Sequence, residues 1–343
     1  LSRGLGDVYK RQTTINNNLA TVNLKGDSVY TYKSNITSTV HGKTKITSSG
    51  NGNYGYYVAG NLTNYAGTGD MDFTSGTGNV GIYSAYKTGG TGIARNAATI
   101  TVGKTDLENE LYSIGMAAGY VGDSTNPATT ATTGTIENNG TITVTGEKGI
   151  GMYGANNGTT VTNNNNIVLN ANNTMGIYVE NGAKAVNNGS IRTGVSGLSS
   201  VIGVVLGQNS ILENNGTINI SGTQSKGVLL KGGRIDNYGN ITVSGAASKE
   251  TDSLNSSPTS KQVGSVVINA PAGATTATIT AGGVVQTPTV VNTTARNPIS
   301  VAADSIGLYV NTSGTSFTNS ITGLGNLTSN ADLVIGTEWA QST

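Results

Sequence analysis

From Thr141 to Thr145 the chain alternates strictly. Thr141, Thr143 and Thr145 fall on one side and Ile142 and Val144 on the other, the period of two expected of a half-buried strand. The alternation sits inside a longer repeat. The segment "IENNGTITV" from Ile136 returns as "VTNNNNIVL" from Val161, "AVNNGSIRT" from Ala185, "LENNGTINI" from Leu212 and "IDNYGNITV" from Ile235. Its first Asn falls at Asn138, Asn163, Asn187, Asn214 and Asn237, with spacings of 25, 24, 27 and 23. A period of roughly 25 residues is one structural unit of a repeat architecture.

Between these copies runs a second pattern, a Gly followed by apolar residues and often a Tyr. It occurs at Gly151-Met152-Tyr153, Gly176-Ile177-Tyr178-Val179, Gly203-Val204-Val205-Leu206 and Gly227-Val228-Leu229-Leu230, with more distant copies at Gly55, Gly81 and Gly307. One instance, "GIGMYG" from Gly149 to Gly154, fits G-x-G-x-x-G letter for letter. That pattern cradles a dinucleotide pyrophosphate only when it opens a helix, and here "ANNG" follows. The next copy, "TMGIYV", lacks the flanking glycines, so the repeat and not a cofactor accounts for them, and no cofactor is expected.

Each unit supplies about three strands of three to five residues joined by Asn/Gly turns, which predicts an all-β chain, a right-handed parallel β-helix. Stacked at about 4.8 Å, Ile142, Ile167, Ile191, Ile218 and Ile241 would form one aliphatic column. The five asparagines would align likewise, their amides able to hydrogen-bond along the axis. Gly140, Asn165, Gly189, Gly216 and Gly239 share one corner, where a left-handed backbone is expected. Roughly ten to thirteen coils give a rod on the order of 50 to 60 Å long. The period breaks at three excursions, residues 121–133, 246–262 and 284–298. There the Gly pattern widens, to 37 between Gly227 and Gly264 and 43 between Gly264 and Gly307.

Composition sharpens this picture. Only 11% of the 343 residues are charged and 5% aromatic, with 50 Gly. There are about 40 Asn, well above the share in an average chain. Ile and Val recur throughout, which a disordered chain lacks. With no Cys, disulfides and thiolate metal sites are excluded. No apolar run reaches the roughly 18 residues of a spanning helix. Residues 2–12, "SRGLGDVYKRQ", resemble the in-frame translation of a transposase-based sequencing adapter. Residues 1–12 are therefore set aside as non-native, and the true N-terminus is expected to be missing. Without Arg3, Lys10, Arg11 and Asp7 the chain holds 16 basic against 17 acidic residues, a net of −1 in place of +1. A nearly neutral chain with no basic cluster is not expected to bind nucleic acid.

The units "NNGTITV" and "GIGMY", with "ADSIGLYVNTSGTSFTN" and "ADLVIGTEWAQ" near the end, resemble passenger domains of autotransporters, the type V secreted surface proteins of Gram-negative anaerobes. The resemblance covers Thr13 to Thr343. It implies a single β-helical passenger fragment with a signal peptide upstream and an outer-membrane β-barrel downstream. The barrel would be the sole contact with a membrane. By the same resemblance the chain is expected to be a monomeric, non-catalytic adhesin, a virulence factor at the cell surface or released from it. Its partner would be a host or bacterial surface protein or glycan. The alternatives are a β-helical polysaccharide-degrading enzyme or phage tailspike segment, and a structural spacer whose binding tip lies elsewhere.

Candidate site residues are few. Glu213 and Asp236 occupy the same place in adjacent units, which puts their carboxylates roughly 5 Å apart, near the separation of a retaining glycosidase. The plainer reading is a solvated pair balanced by Lys231 or Arg234. His41, the one histidine, lies in "TVHGKTK", a turn-like context that points to a surface residue and not to a triad. "GTGDMDF", Gly67 to Phe73, touches on calcium-repeat motifs but occurs once and reads as a turn. Tyr57, Tyr83, Tyr153, Tyr178 and Tyr309 follow the repeat Gly by two and should point outward, either as an adhesive stripe or as stacked rings that stiffen the rod. Asn139-Gly140-Thr141 and Asn188-Gly189-Ser190 match glycosylation sequons, which "NNGT" turn chemistry explains.

Overall fold

In the computed structural model, side chains are described over residues 21–31, 45–58, 69–85, 93–120, 131–229, 231 and 233–245. Outside these it describes the backbone of further strands, among them Thr13–Asn17, Ser38–Gly42, Leu62–Asn64 and nine strands between Lys261 and Ala340. Residues 1–12, 121–130 and 246–260, which include the set-aside N-terminal segment and most of two expected excursions, lie outside the described residues.

The described chain is a parallel β-solenoid with three strands per coil. Thr135–Asn138 belongs to sheet A, Thr141–Val144 to sheet B and Ile150–Ala155 to sheet C, and Thr160–Asn163 then stacks on the first of these. Sheets A and B each hold 11 strands and sheet C holds 13. The strands of A and B pair in parallel throughout, as winding in one direction requires.

Registration is residue on residue. Ile142, Ile167, Ile191, Ile218 and Ile241 pair in sequence along sheet B and are all fully buried. The column continues at its other end through Ile100, Met71 and Ile46. Facing it on sheet C runs a column of glycines. A Cβ on Gly151 would stand 2.5 Å from the Gly176 carbonyl oxygen and 2.8 Å from Cγ2 of Ile167, and Gly55, Gly81, Gly115, Gly176 and Gly203 are equally confined. Each glycine leaves the space that an isoleucine of the opposite sheet fills, or at Gly55 the space that Met71 and Phe73 fill. Within "GIGMYG", Gly149 and Gly154 are likewise hemmed in, by Val144 and Val161.

Sheet A carries the polar spine. Asn138 Nδ2 donates to Asn163 Oδ1 (2.9 Å), Asn163 to Asn187 (2.9 Å), Asn187 to Asn214 (2.8 Å) and Asn214 to Asn237 (2.7 Å). Asn96 joins at the other end, donating to Asn138 at 3.0 Å, and all six side chains are fully buried. The same amides hold the corner between sheets A and B. Asn138 Nδ2 donates to the Gly140 carbonyl at 3.0 Å and Asn163 Nδ2 to that of Asn165 at 2.9 Å. Burying an amide costs little only when its partners are supplied, and the ladder supplies them within every coil.

The corner glycines require a correction. Gly140, Gly189, Gly216 and Gly239 do not adopt left-handed φ. A Cβ at Gly140 would instead strike the Ala98 carbonyl oxygen, and one at Gly216 that of Gly189, so close coil approach excludes a side chain. Left-handed residues stand at the other two corners: Lys148, Asn173, Ser200 and Gln224 between sheets B and C, and Asn156, Asn181 and Asn209 after sheet C.

Two of the expected excursions border an antiparallel unit at the side of the solenoid. Gly264 is not a coil position, since Lys261–Asn269 runs antiparallel to Ile335–Ala340 and sheet C passes directly from Lys226–Leu230 to Ile306–Asn311. Lys261–Asn269, Thr278–Ala281 and Val284–Gln286 form an antiparallel side unit on sheet C, whereas Val291–Asn297 pairs within sheet A. A short turn closed by the Asp106–Leu111 bridge was not foreseen.

Three substitutions separate the roles of these columns. Gly151→Ala should lower stability by about 1–3 kcal/mol through overpacking against Ile167. Asn163→Ala should cost about 1–3 kcal/mol by stripping partners from Asn138 and Asn187, while Asn164→Ala on the exposed side should stay within about 0.5 kcal/mol. Urea unfolding midpoints of the three variants measure this, and equal effects at Asn163 and Asn164 would contradict the buried ladder.

Candidate functional site

The in-register acids are where the sequence puts them, but neither stands alone. Glu213 pairs with Asp236 on adjacent strands of sheet A. Lys184 Nζ lies 2.8 Å from Glu213 Oε2, and Asn215 Nδ2 donates to Glu213 Oε1 at 3.0 Å. These hydrogen bonds, from Lys184 first and Asn215 next, hold the Glu213 carboxyl below the usual carboxylate range. Asp236 is paired with Arg234 at 2.9 Å, one of the two bases expected for this pair, whereas the partner of Glu213 comes from the preceding coil. A general acid needs a raised pKa, and Glu213 moves the other way. On the same sheet Arg95 and Glu137 form a third ion pair at 2.8 Å. Among the described residues, three ion pairs thus lie along the outer side of sheet A.

The remaining polar candidates lie on or beside strands. His41 lies in the strand Ser38–Gly42, in register with Asn16, and not in a turn as its neighbours suggest; its side chain lies outside the described residues. Asp72 accepts from Thr74 N (3.2 Å), Thr74 Oγ1 (2.8 Å) and Lys45 Nζ (3.4 Å). Burial pushes its pKa up, but these donors win and hold it below the ordinary value. Asp70 Oδ1 accepts from the Thr99 amide at 2.9 Å. Among the described residues no group of three or more His, Cys, Asp or Glu could hold a metal ion. No helix among them is long and apolar enough to cross a membrane.

Sheet C presents a different surface. Opposite the core, Val80, Ile114, Ala117 and Ile150 form a second apolar cluster, against which Tyr54, Tyr83, Tyr153, Met175 and Tyr178 pack. Tyr57 and Tyr83 stack in register with ring centroids 4.9 Å apart, and Tyr30 stacks on Tyr54 at 5.0 Å. Tyr153 meets Tyr178 edge to face at 5.7 Å. Their hydroxyls converge on one acid: Tyr153 Oη donates to Glu180 Oε1 at 2.5 Å and Tyr178 Oη to Glu180 Oε2 at 3.0 Å. The Tyr column is thus half-buried and internally bonded, and at Ala117 it is broken by a small residue. The Tyr309 side chain lies outside the described residues. Glu180 escaped notice in the sequence because its partners come from two coils, and only the register brings them together.

Burial raises the pKa of Tyr83, Tyr153 and Tyr178 above the ordinary phenol value, Glu180 adding to it for the last two; burial alone pushes Tyr56, in the core, up to about 12. A raised folded-state pKa means that the neutral phenols contribute their full stability below the unfolded value of about 10 and lose it as pH rises above that. Thermal melting followed across this range should therefore show stability falling from about pH 10 upward. Phenolate absorbance of the buried tyrosines should appear only with unfolding. A single titration of every tyrosine near pH 10 with the fold intact would refute their burial.

One comparison with known proteins is positive. Residues 6–190 match the sequence model of the BigA third pectate lyase-like domain, a match that begins inside the N-terminal segment set aside above. No curated protein and no solved structure matches the chain. The matched region holds the buried Asn spine up to Asn187, the Ile column up to Ile167 and the tyrosine surface of sheet C, and a pectate lyase-like domain is itself a β-helix. The match points to a β-helical protein of the bacterial surface or secreted from it. By fold and by this match over more than half its length, the chain belongs to the family of the BigA third pectate lyase-like domain.

Proposed function

We propose that the chain is a non-catalytic adhesin segment, displayed at the cell surface by an autotransporter route and binding a host or bacterial surface protein or glycan. The observation that carries this reading is the state of Glu213 and Asp236: the acid pair that the repeat brings into register is tied up by Lys184 and Arg234. A carboxylate in such a pair is a poor proton donor. The stacked coils supply reach, and the outer faces supply contact area. Tyr30 on sheet C, and Tyr112 and Tyr120 on either side of its strand Ile114–Ala118, are each more than one-third exposed and add aromatic surface. Tyrosine gives large contact at small entropic cost. A chain without cysteine also forms no disulfide while crossing the periplasm unfolded.

The family description favours a second reading, a polysaccharide-degrading enzyme, since it names a pectate lyase-like domain. One pair of assays separates the two. Purified chain should bind cultured epithelial cells or bacterial cells saturably and leave polygalacturonate and other surface glycans uncleaved. The double variant Glu213→Gln, Asp236→Asn should bind as well as the parent. Cleavage by the parent that the double variant loses would establish the enzyme and overturn the adhesin.

A further inference from the structure

The sequence contains six Asn-Gly steps: Asn51-Gly52, Asn139-Gly140, Asn157-Gly158, Asn181-Gly182, Asn188-Gly189 and Asn215-Gly216. This dipeptide is chemically fragile, because glycine leaves its own amide nitrogen unshielded and able to reach the asparagine side chain. The reaction needs that nitrogen free. Deprotonated, it attacks Cγ of the preceding asparagine, and Nδ2 leaves as ammonia, so a five-membered succinimide forms. Water then opens the ring at either carbonyl, giving aspartate or isoaspartate.

Five of the six nitrogens are committed to other bonds. Gly52 N donates to the Thr77 carbonyl (2.9 Å), Gly182 N to that of Gln208 (2.9 Å), Gly189 N to that of Asn163 (3.1 Å) and Gly216 N to that of Asn187 (2.8 Å). Gly140 N donates to the buried Asn138 Oδ1 at 3.3 Å. In the exposed row beside the buried spine the side chains are held as well: Asn164 donates to Asn139, Asn188 to Asn164 and Asn215 to Asn188, at 2.8–2.9 Å. Attack at any of these requires coils to separate locally first.

Asn157-Gly158 differs in each respect. Both residues are exposed at the corner after sheet C. Among the described residues neither the Gly158 amide nor the Asn157 side chain has a hydrogen-bond partner. Gly158 has a φ of 94°, and the nearest atom to a Cβ built there is a Thr133 methyl at 3.6 Å, so space for the ring is open. We propose that Asn157 is the site at which this protein deamidates spontaneously, while stacking protects the other five steps. The product carries a new carboxylate beside Asn156, whose amide donates to the Glu180 backbone carbonyl at 3.1 Å. Ageing thus adds negative charge next to the tyrosine–Glu180 cluster.

Incubating the folded chain at mildly alkaline pH, then locating conversion by proteolysis and mass spectrometry, tests this, with the chain in concentrated urea as the unfolded control. Asn157 should convert at least about tenfold faster than any of the other five, the ratio that ~1.4 kcal/mol of opening corresponds to. In urea the six rates should converge, and Asn157→Gln should remove the fast conversion while leaving the others unchanged. Folded-state conversion at Asn139, Asn188 or Asn215 as fast as at Asn157 would overturn the proposal. So would rates at those three sites that urea fails to raise.

Discussion

Everything in this molecule depends on adjacent coils pairing residue for residue at the β-strand spacing of about 4.8 Å. Under that constraint a side chain meets its own equivalent one coil away, and identical neighbours must be compatible. Isoleucine satisfies it by stacking methyl on methyl, and asparagine by donating to the next amide while accepting from the last. Glycine satisfies it where nothing else fits, at the corner after sheet A and opposite the isoleucines in sheet C. A charged residue in such a column would meet a like charge, and the described core contains none.

Division of labour among the three sheets follows. Sheet A carries the buried amide spine and, outside, ion pairs such as Arg95–Glu137 and Lys184–Glu213. Sheet B carries the main aliphatic column. Sheet C must yield space to that column and does so with glycine, which leaves its apolar residues to be covered on the outer side by tyrosine rings. The aromatic face is therefore first a packing solution. Its contact with a partner builds on a surface that is already ordered, at little further entropic cost.

Much of this was legible in the sequence, and the boundary is physical. The Ile column and the Asn spine could be read because identical residues recur at one period, and stacking returns identity as contact. Asn96 was missed because 42 residues separate it from Asn138, the excursion after Tyr120 having broken the count. The corner glycines were placed correctly and explained wrongly, since sequence does not separate a glycine required by φ from one required by close approach. Glu180 was invisible because its meaning arises only between coils. Gly264 imitates the repeat but lies in an antiparallel strand, where local pattern yields to pairing partner. For Glu213 and Asp236 proximity was readable, but neutralisation by Lys184 was not, because that lysine belongs to a third strand.

The residue-for-residue stacking can be measured directly because the chain has no cysteine to compete with introduced labels. Thr101 and Thr242 lie on one outer row of sheet B, linked through Thr143, Val168, Arg192 and Asn219. Spin labels at Thr101→Cys and Thr242→Cys should give a narrow dipolar distance distribution centred near ~24 Å, five rungs of the ladder. A broad distribution, or one centred well away from that spacing, would contradict the stacked solenoid.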